Sequence, residues 1–144
     1  MTLMCLGFTE ALFGDPETGI EHLIKVLRLS PRDYWRSTMH ANLAISHFLA
    51  RQYDEGKEAA LAAVREAPQL VVALNFLALN LVGLGQVVLA ASTVDKIREI
   101  SPTYLDERLA GGYGFEKQGD VTRATTFIRI AAGLEDPSAA EALR

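Results

Sequence analysis

A chain of 144 residues, 49% apolar and 22% charged, has the composition of one globular domain able to bury a core, which excludes extended disorder. The net charge of −4, with no dense Lys/Arg cluster, argues against a nucleic-acid partner and against a basic helix lying on a membrane. The single cysteine, Cys5, closes no internal disulfide and cannot make a zinc site alone, which fits a reducing, cytoplasmic setting.

Strand signals are weak along the whole chain. Val-rich runs are short, while Ala, Leu, Glu, Arg and Lys dominate with apolar residues at three- and four-residue spacing, so the expected class is all-α. The opening MTLMCLGFTEALFGDP has no basic leader and no small-residue cleavage pattern. It breaks at Gly14-Asp15-Pro16 and reads as a helix, not a signal peptide. NLAISHFLA reads as a helix, RQYDEG as a turn with Tyr53 wedged between helices and Gly56 allowing close approach, and KEAALAAVREAP as the next helix. Between Glu66 and Asp95 no residue is charged. A spanning helix needs about 20 apolar residues in a row. Gln69, Asn75, Asn80 and the GLGQ punctuation predict two shorter buried helices instead of a membrane span. AGGYG then interrupts a helical region. Interior glycines cost about 1 kcal/mol each relative to Ala, so that helix is expected to be short or irregular. The tail EDPSAAEALR looks loose, and residues 138–144 are expected to be disordered.

Four helical segments end in proline: KVLRLSP, AAVREAP, KIREISP and AAGLEDP. The spacing is 37 residues from Pro31 to Pro68, 34 to Pro102 and 35 to Pro137. Other positions follow that register. Small residues recur at Gly19, Ala60, Ala90 and Ala124, and turns at Gly14, Gly85 and Gly119. The pattern resembles the tetratricopeptide repeat family over roughly residues 3–137. The resemblance implies an α-α superhelix, a solenoid of helix-turn-helix units at about 1–33, 37–70, 71–104 and 105–137. Three extra residues, Tyr34 to Arg36, depart from it, and the usual first-helix aromatic is replaced by Leu3, His40, Leu74 and Arg108. More narrowly, PETGIEHLIKVLRLSPRD, FLARQYDEGKEAA and FIRIAAGLEDP look like the C-terminal repeat regions of bacterial class III adenylate or guanylate cyclases and related signalling proteins. No cyclase domain lies within these residues.

Candidate chemistry is sparse. His40 and His47 stand seven apart, where a helical metal pair needs four, so packing or a buried hydrogen bond is expected of both. His22 has no acidic or thiol neighbour in register. Asp54, Glu55 and Glu58 sit at a helix start, where negative charge favours the dipole, and read as a solvated face. AGGYGF lacks the Lys-Ser/Thr of a phosphate loop and the third glycine of a dinucleotide fingerprint. No catalytic group, metal site or cofactor is expected, and no enzyme.

Function is expected instead in a concave groove that the resemblance implies along the first helices. Its positions are Met4 and Phe8, then Thr38, Ala41, Ile45 and Phe48, then Val72, Asn75, Leu79 and Val82, then Leu109 and Tyr113. This groove lacks the Lys and Arg with which chaperone-binding members grip a carboxylate tail and keeps only Asn75. It is expected to take an apolar peptide or an amphipathic helix of a protein partner. The alternative is a self-association or regulatory module of a larger signalling protein. A chain that opens inside an apolar helix without a polar cap predicts a homodimer or a fragment of a longer chain.

Overall fold

The computed structural model describes residues 16–29 and 36–144 and, within the first stretch, the side chains of residues 17–21, 24 and 25. Met4, Cys5, Phe8, the opening helix and the Tyr34-Trp35 insertion lie outside the described residues. Within them the chain is helical, with no strand: α1 (Pro16–Leu29), α2 (Arg36–Leu49), α3 (Tyr53–Glu66), α4 (Val71–Gly83), α5 (Val87–Ile100), α6 (Pro102–Leu109), α7 (Gln118–Ala131) and a 3-10 turn (Pro137–Ala140). Each helix packs on its neighbours in sequence, because connections this short force the chain to double back. None of the described helices is long and apolar enough to cross a membrane. The charge-free run divides at Gly85, as its punctuation predicts.

Two kinds of turn recur, and the first of them also ends α7, where Leu134 donates to Arg129 O at 2.8 Å and Gly133 has a φ of 78°. After α2, the Gln52 amide donates to His47 O at 2.8 Å and the Arg51 amide to Phe48 O at 3.0 Å. After α4, Gln86 donates to Leu81 O at 2.8 Å and Gly85 to Val82 O at 3.0 Å; after α6, Gly112 donates to Glu107 O at 2.9 Å and Gly111 to Arg108 O at 3.0 Å. This double bond needs a left-handed residue, and φ is 60° at Arg51, 79° at Gly85 and 91° at Gly111. By contrast, α3 and α5 run into extended cap residues, Ala67 (φ −141°) and Ser101 (φ −152°).

Prolines start elements here more than they stop them. Pro16, Pro102 and Pro137 are each the first residue of their helix, where the missing N–H would be unsatisfied anyway. Ser101 Oγ accepts from the Tyr104 amide at 3.4 Å, so α6 opens at Pro102 and not at the expected 105. It stops at Leu109, ahead of the glycines, and is the short helix that AGGYG predicts.

The core lies around α4, which is buried along nearly its whole length and touches α2, α3, α5 and α7. A helix surrounded on all sides can be apolar all round, which explains VVALNFLALNLVG. Small residues set the spacing of its neighbours. A Cβ on Gly56 would collide with the Asn80 amide, and one on Gly83 would sit 2.5 Å from the Tyr53 ring. Tyr53 and Gly56 thus set α3 against α4, whereas the sequence places them between α2 and α3.

The last helix departs most from a simple row. α7 packs on α4, α5 and α6 and reaches back to the end of α2. Arg123, 1% exposed, donates through Nη1 to Phe48 O at 2.8 Å and to the Tyr53 hydroxyl at 2.7 Å. Its Nη2 bonds Leu49 O at 3.4 Å and Asp120 Oδ1 at 3.2 Å. Phe127 meets the rings of Phe48 at 5.9 Å and Tyr53 at 6.1 Å. The tail also differs from a disordered one. Asp136 caps the 3-10 turn through Ser138 N at 2.9 Å, Ala140 is fully buried, and Arg144 Nη2 donates to Val82 O at 3.2 Å. These contacts give residues 138–144 a surface to bury against.

Candidate functional site

A hollow of about 250 Å³ opens between α2, α4, α6 and the segment that follows α6. Its walls are Ile45, Val72, Phe76, Tyr104, Tyr113 and Phe115, with Arg108 and the backbone of Gly112 and Gly114. Tyr104 and Arg108 stand one helical turn apart on α6 and therefore share a face. The Arg108 guanidinium lies 4.4 Å from the Tyr104 ring centre and 5.5 Å from that of Tyr113, and its Nη1 donates to Gly112 O. That bond ties the glycine segment back to the helix it leaves.

Three aromatic rings form the floor. Tyr113 and Phe115, separated by Gly114, stack at 5.7 Å with 13° between their planes. Phe76 from α4 meets them nearly edge-on, at 6.3 Å and 6.2 Å. Such offset and edge contacts are the favoured aromatic geometries. The Tyr113 hydroxyl is buried and donates to Asn75 Oδ1 at 3.0 Å. Burial pushes the Tyr113 phenol far above its ordinary pKa, so it stays a donor. Asn75 Nδ2, on the same buried amide, has no hydrogen-bond partner among the described residues.

The lining holds no carboxylate, thiol or imidazole. Its one charged side chain is Arg108, which makes no ion pair among the described residues. The arrangement offers shape, aromatic surface and a single positive charge.

The residues expected along a groove fall into separate places. Ile45, Val72 and Tyr113 line the hollow, and Asn75 stands behind Tyr113. Thr38 and Leu109 are half-buried and lie outside its lining. Ala41 is buried with Ala63 and Ala73 at the meeting of α2, α3 and α4. Phe48, Leu79 and Val82 are fully buried in the main core. Phe127 of α7 lies on Phe48 and the tail reaches Val82, so no open groove extends to these three. Met4 and Phe8 lie outside the described residues.

A wall without Lys or Arg is the expectation that Arg108 corrects. Phe76, Tyr104 and Phe115 were equally missing from the expected set. The four-residue spacing of Tyr104 and Arg108 and the aromatics flanking Gly114 were available signals. Their convergence with α4 was not, since it depends on where α6 ends.

His40 and His47 sit in packed surroundings, and the side chain of His22 lies outside the described residues. His47 Nδ1 lies 2.7 Å from Gln52 Oε1 across the turn after α2, and His40 Nε2 lies 4.0 Å from Glu66 Oε1 on α3. Burial is the main cause that lowers both pKa values; for His40 the neighbouring Arg36 acts in the same direction, opposed by Glu66. Asp54, Glu55 and Glu58 are exposed at the start of α3. Among the described residues no group of three or more His, Cys, Asp or Glu is placed to hold a metal ion. Compared with known proteins, the chain matches neither a protein-family model nor a curated protein.

Proposed function

We propose that the protein is an interaction scaffold of tetratricopeptide type, a helical array that holds an apolar segment of a protein partner in the hollow beside α4 and carries out no catalysis. The observation that supports this reading is the recurrence of the turns. Arg51 and Gly85 hold equivalent left-handed positions 34 residues apart, and the extended caps Ala67 and Ser101 repeat the same interval. That is the period of a helix-turn-helix repeat. An apolar hollow on a rigid helical wall, with one polar handle, is the form that peptide-binding surfaces take.

Selection of a random peptide library against the full chain is the direct test. Binders should carry a large apolar residue. Val72→Glu, at the half-buried rim, should weaken them by about tenfold or more while the circular dichroism stays unchanged, since it places an unpaired carboxylate where the partner packs. A selection without binders, or binders indifferent to Val72→Glu, would refute this reading. Leu79, being fully enclosed, cannot serve as a probe of binding.

One observation favours a second reading, self-association or regulation within a larger signalling protein. Val88 is 84% and Leu89 54% exposed in the first turn of α5. An adjacent apolar pair on an outer helix is a contact surface for another copy or an attached domain.

A further inference from the structure

We infer that the segment taken by this hollow is acidic: a large apolar side chain with a carboxylate immediately beside it, the carboxylate bound by Arg108. This rests on the reading of the hollow as a peptide site. It adds the charge of the partner.

The argument begins with what Arg108 lacks. Its guanidinium has five donors, and the structure occupies one, on Gly112 O. Asp106 and Glu107, its neighbours on α6, are exposed and make no ion pair with it. Arg98 and Arg129, by contrast, are paired with Asp95 and Glu135. Arg108 therefore stands as a cation without an anion at the edge of an aromatic hollow.

The Tyr104 ring, 4.4 Å below the guanidinium carbon, and the Gly112 carbonyl hold the group at the edge of the hollow. A guanidinium held over a ring face still presents N–H groups from which a carboxylate accepts two parallel bonds. Order of this kind lowers the entropy lost on binding.

Desolvation then selects between ligands. Any side chain that fills the space between Ile45, Val72 and Phe115 displaces water from around Arg108. A neutral apolar segment dries the cation and returns nothing for it. A basic segment adds repulsion. A segment with a carboxylate beside its apolar residue replaces the lost water with a charge-assisted bond.

The test compares two short capped peptides that differ in one atom group, Asp-Phe against Asn-Phe at their centre, titrated into the full chain. The backbone amides of Gly112 and Gly114 in the hollow are the NMR reporters. At low salt the Asp peptide should bind about fivefold or more tightly than the Asn peptide, a preference that falls as salt is added. Arg108→Gln should bring the ratio to about one, and Arg108→Lys should keep part of it, since charge remains while the planar fork is lost. Because Arg108 also secures Gly112, the thermal midpoint of each variant is measured alongside. The wild-type ratio and its salt dependence test the idea without any variant. Equal binding of both peptides at Gly112 and Gly114 overturns the charge inference and leaves the peptide site standing. No shift with either peptide overturns both. Shifts of the same amides with protein concentration alone would assign the hollow to a second copy and also overturn it.

Discussion

His47 shows how a single buried side chain couples this fold to pH. Burial lowers its pKa from the ordinary 6.5, and the Gln52 bond and Glu55 offset only part of that. The unfolded chain therefore takes up this proton before the folded chain does. Stability from His47 is complete above about pH 6.5 and is lost as pH falls through the lowered folded value. His40 shifts in the same direction, so the two add. The urea midpoint is expected to be lower at about pH 5.5 than at about pH 7.5, and His47→Gln should flatten that difference. A midpoint independent of pH over this range would show that neither histidine is held neutral. Both side chains attracted a metal reading in the sequence, against which their seven-residue spacing counted.

Turns are the natural units at the scale of elements. The helix ends after α2, α4, α6 and α7 use one geometry, yet the left-handed residue is glycine in three and Arg51 in the first. A side chain there costs about 1 kcal/mol, which glycine avoids. Arg51 is exposed, and its side chain makes no bond or ion pair among the described residues. Arg51→Gly is therefore expected to stabilise the protein by about 0.5–1 kcal/mol, read as a higher urea midpoint at unchanged slope. The converse change at Gly85 should cost a similar amount, because a Cβ there meets only Arg144 Nη2, at 3.6 Å, and the penalty comes from the backbone. Equal stability of Arg51→Gly and wild type would place the strain elsewhere. The turn at Gly85 was legible as a glycine; the last one was expected at Gly119, which instead lies in the first turn of α7, while the turn falls at Gly111, and the equivalent turn at Arg51 carries no such mark.

For the whole molecule, the decisive contact is Arg123. It joins α7 to α2 and α3 across 75 residues of sequence. It bonds two backbone carbonyls, a tyrosine hydroxyl and a carboxylate, and lies 4.3 Å over the Phe48 ring. Arg123→Ala should cost about 2–4 kcal/mol, since it leaves buried acceptors unpaired and opens a cavity. Asp120 is 19% exposed and can be solvated, which keeps the loss below that of a fully buried pair. Hydrogen exchange is the discriminating measurement. Amides of α7 and of the end of α2 should lose protection together, because the side chain connects them. If only α7 opens, the arginine anchors its own helix and does not lock the two ends of the domain.

The amino-acid sequence by itself determined the helices, the division of the charge-free run at Gly85, the brevity of α6 and the solvated role of Asp54, Glu55 and Glu58. Each depends on neighbours within a turn or two: apolar spacing, glycine at a stop, negative charge at a helix start. Tertiary structure alone decided that α7 folds over Phe48, that Leu79 and Val82 lie in the core, that Arg123 is buried, and that Arg108 joins Tyr104, Phe76 and Phe115 around one hollow. The glycine-bearing link 110–117 permits several directions for α7. Which one is taken depends on the apolar area and the buried carbonyls that α7 can satisfy on helices far away in sequence, and no local pattern encodes that sum.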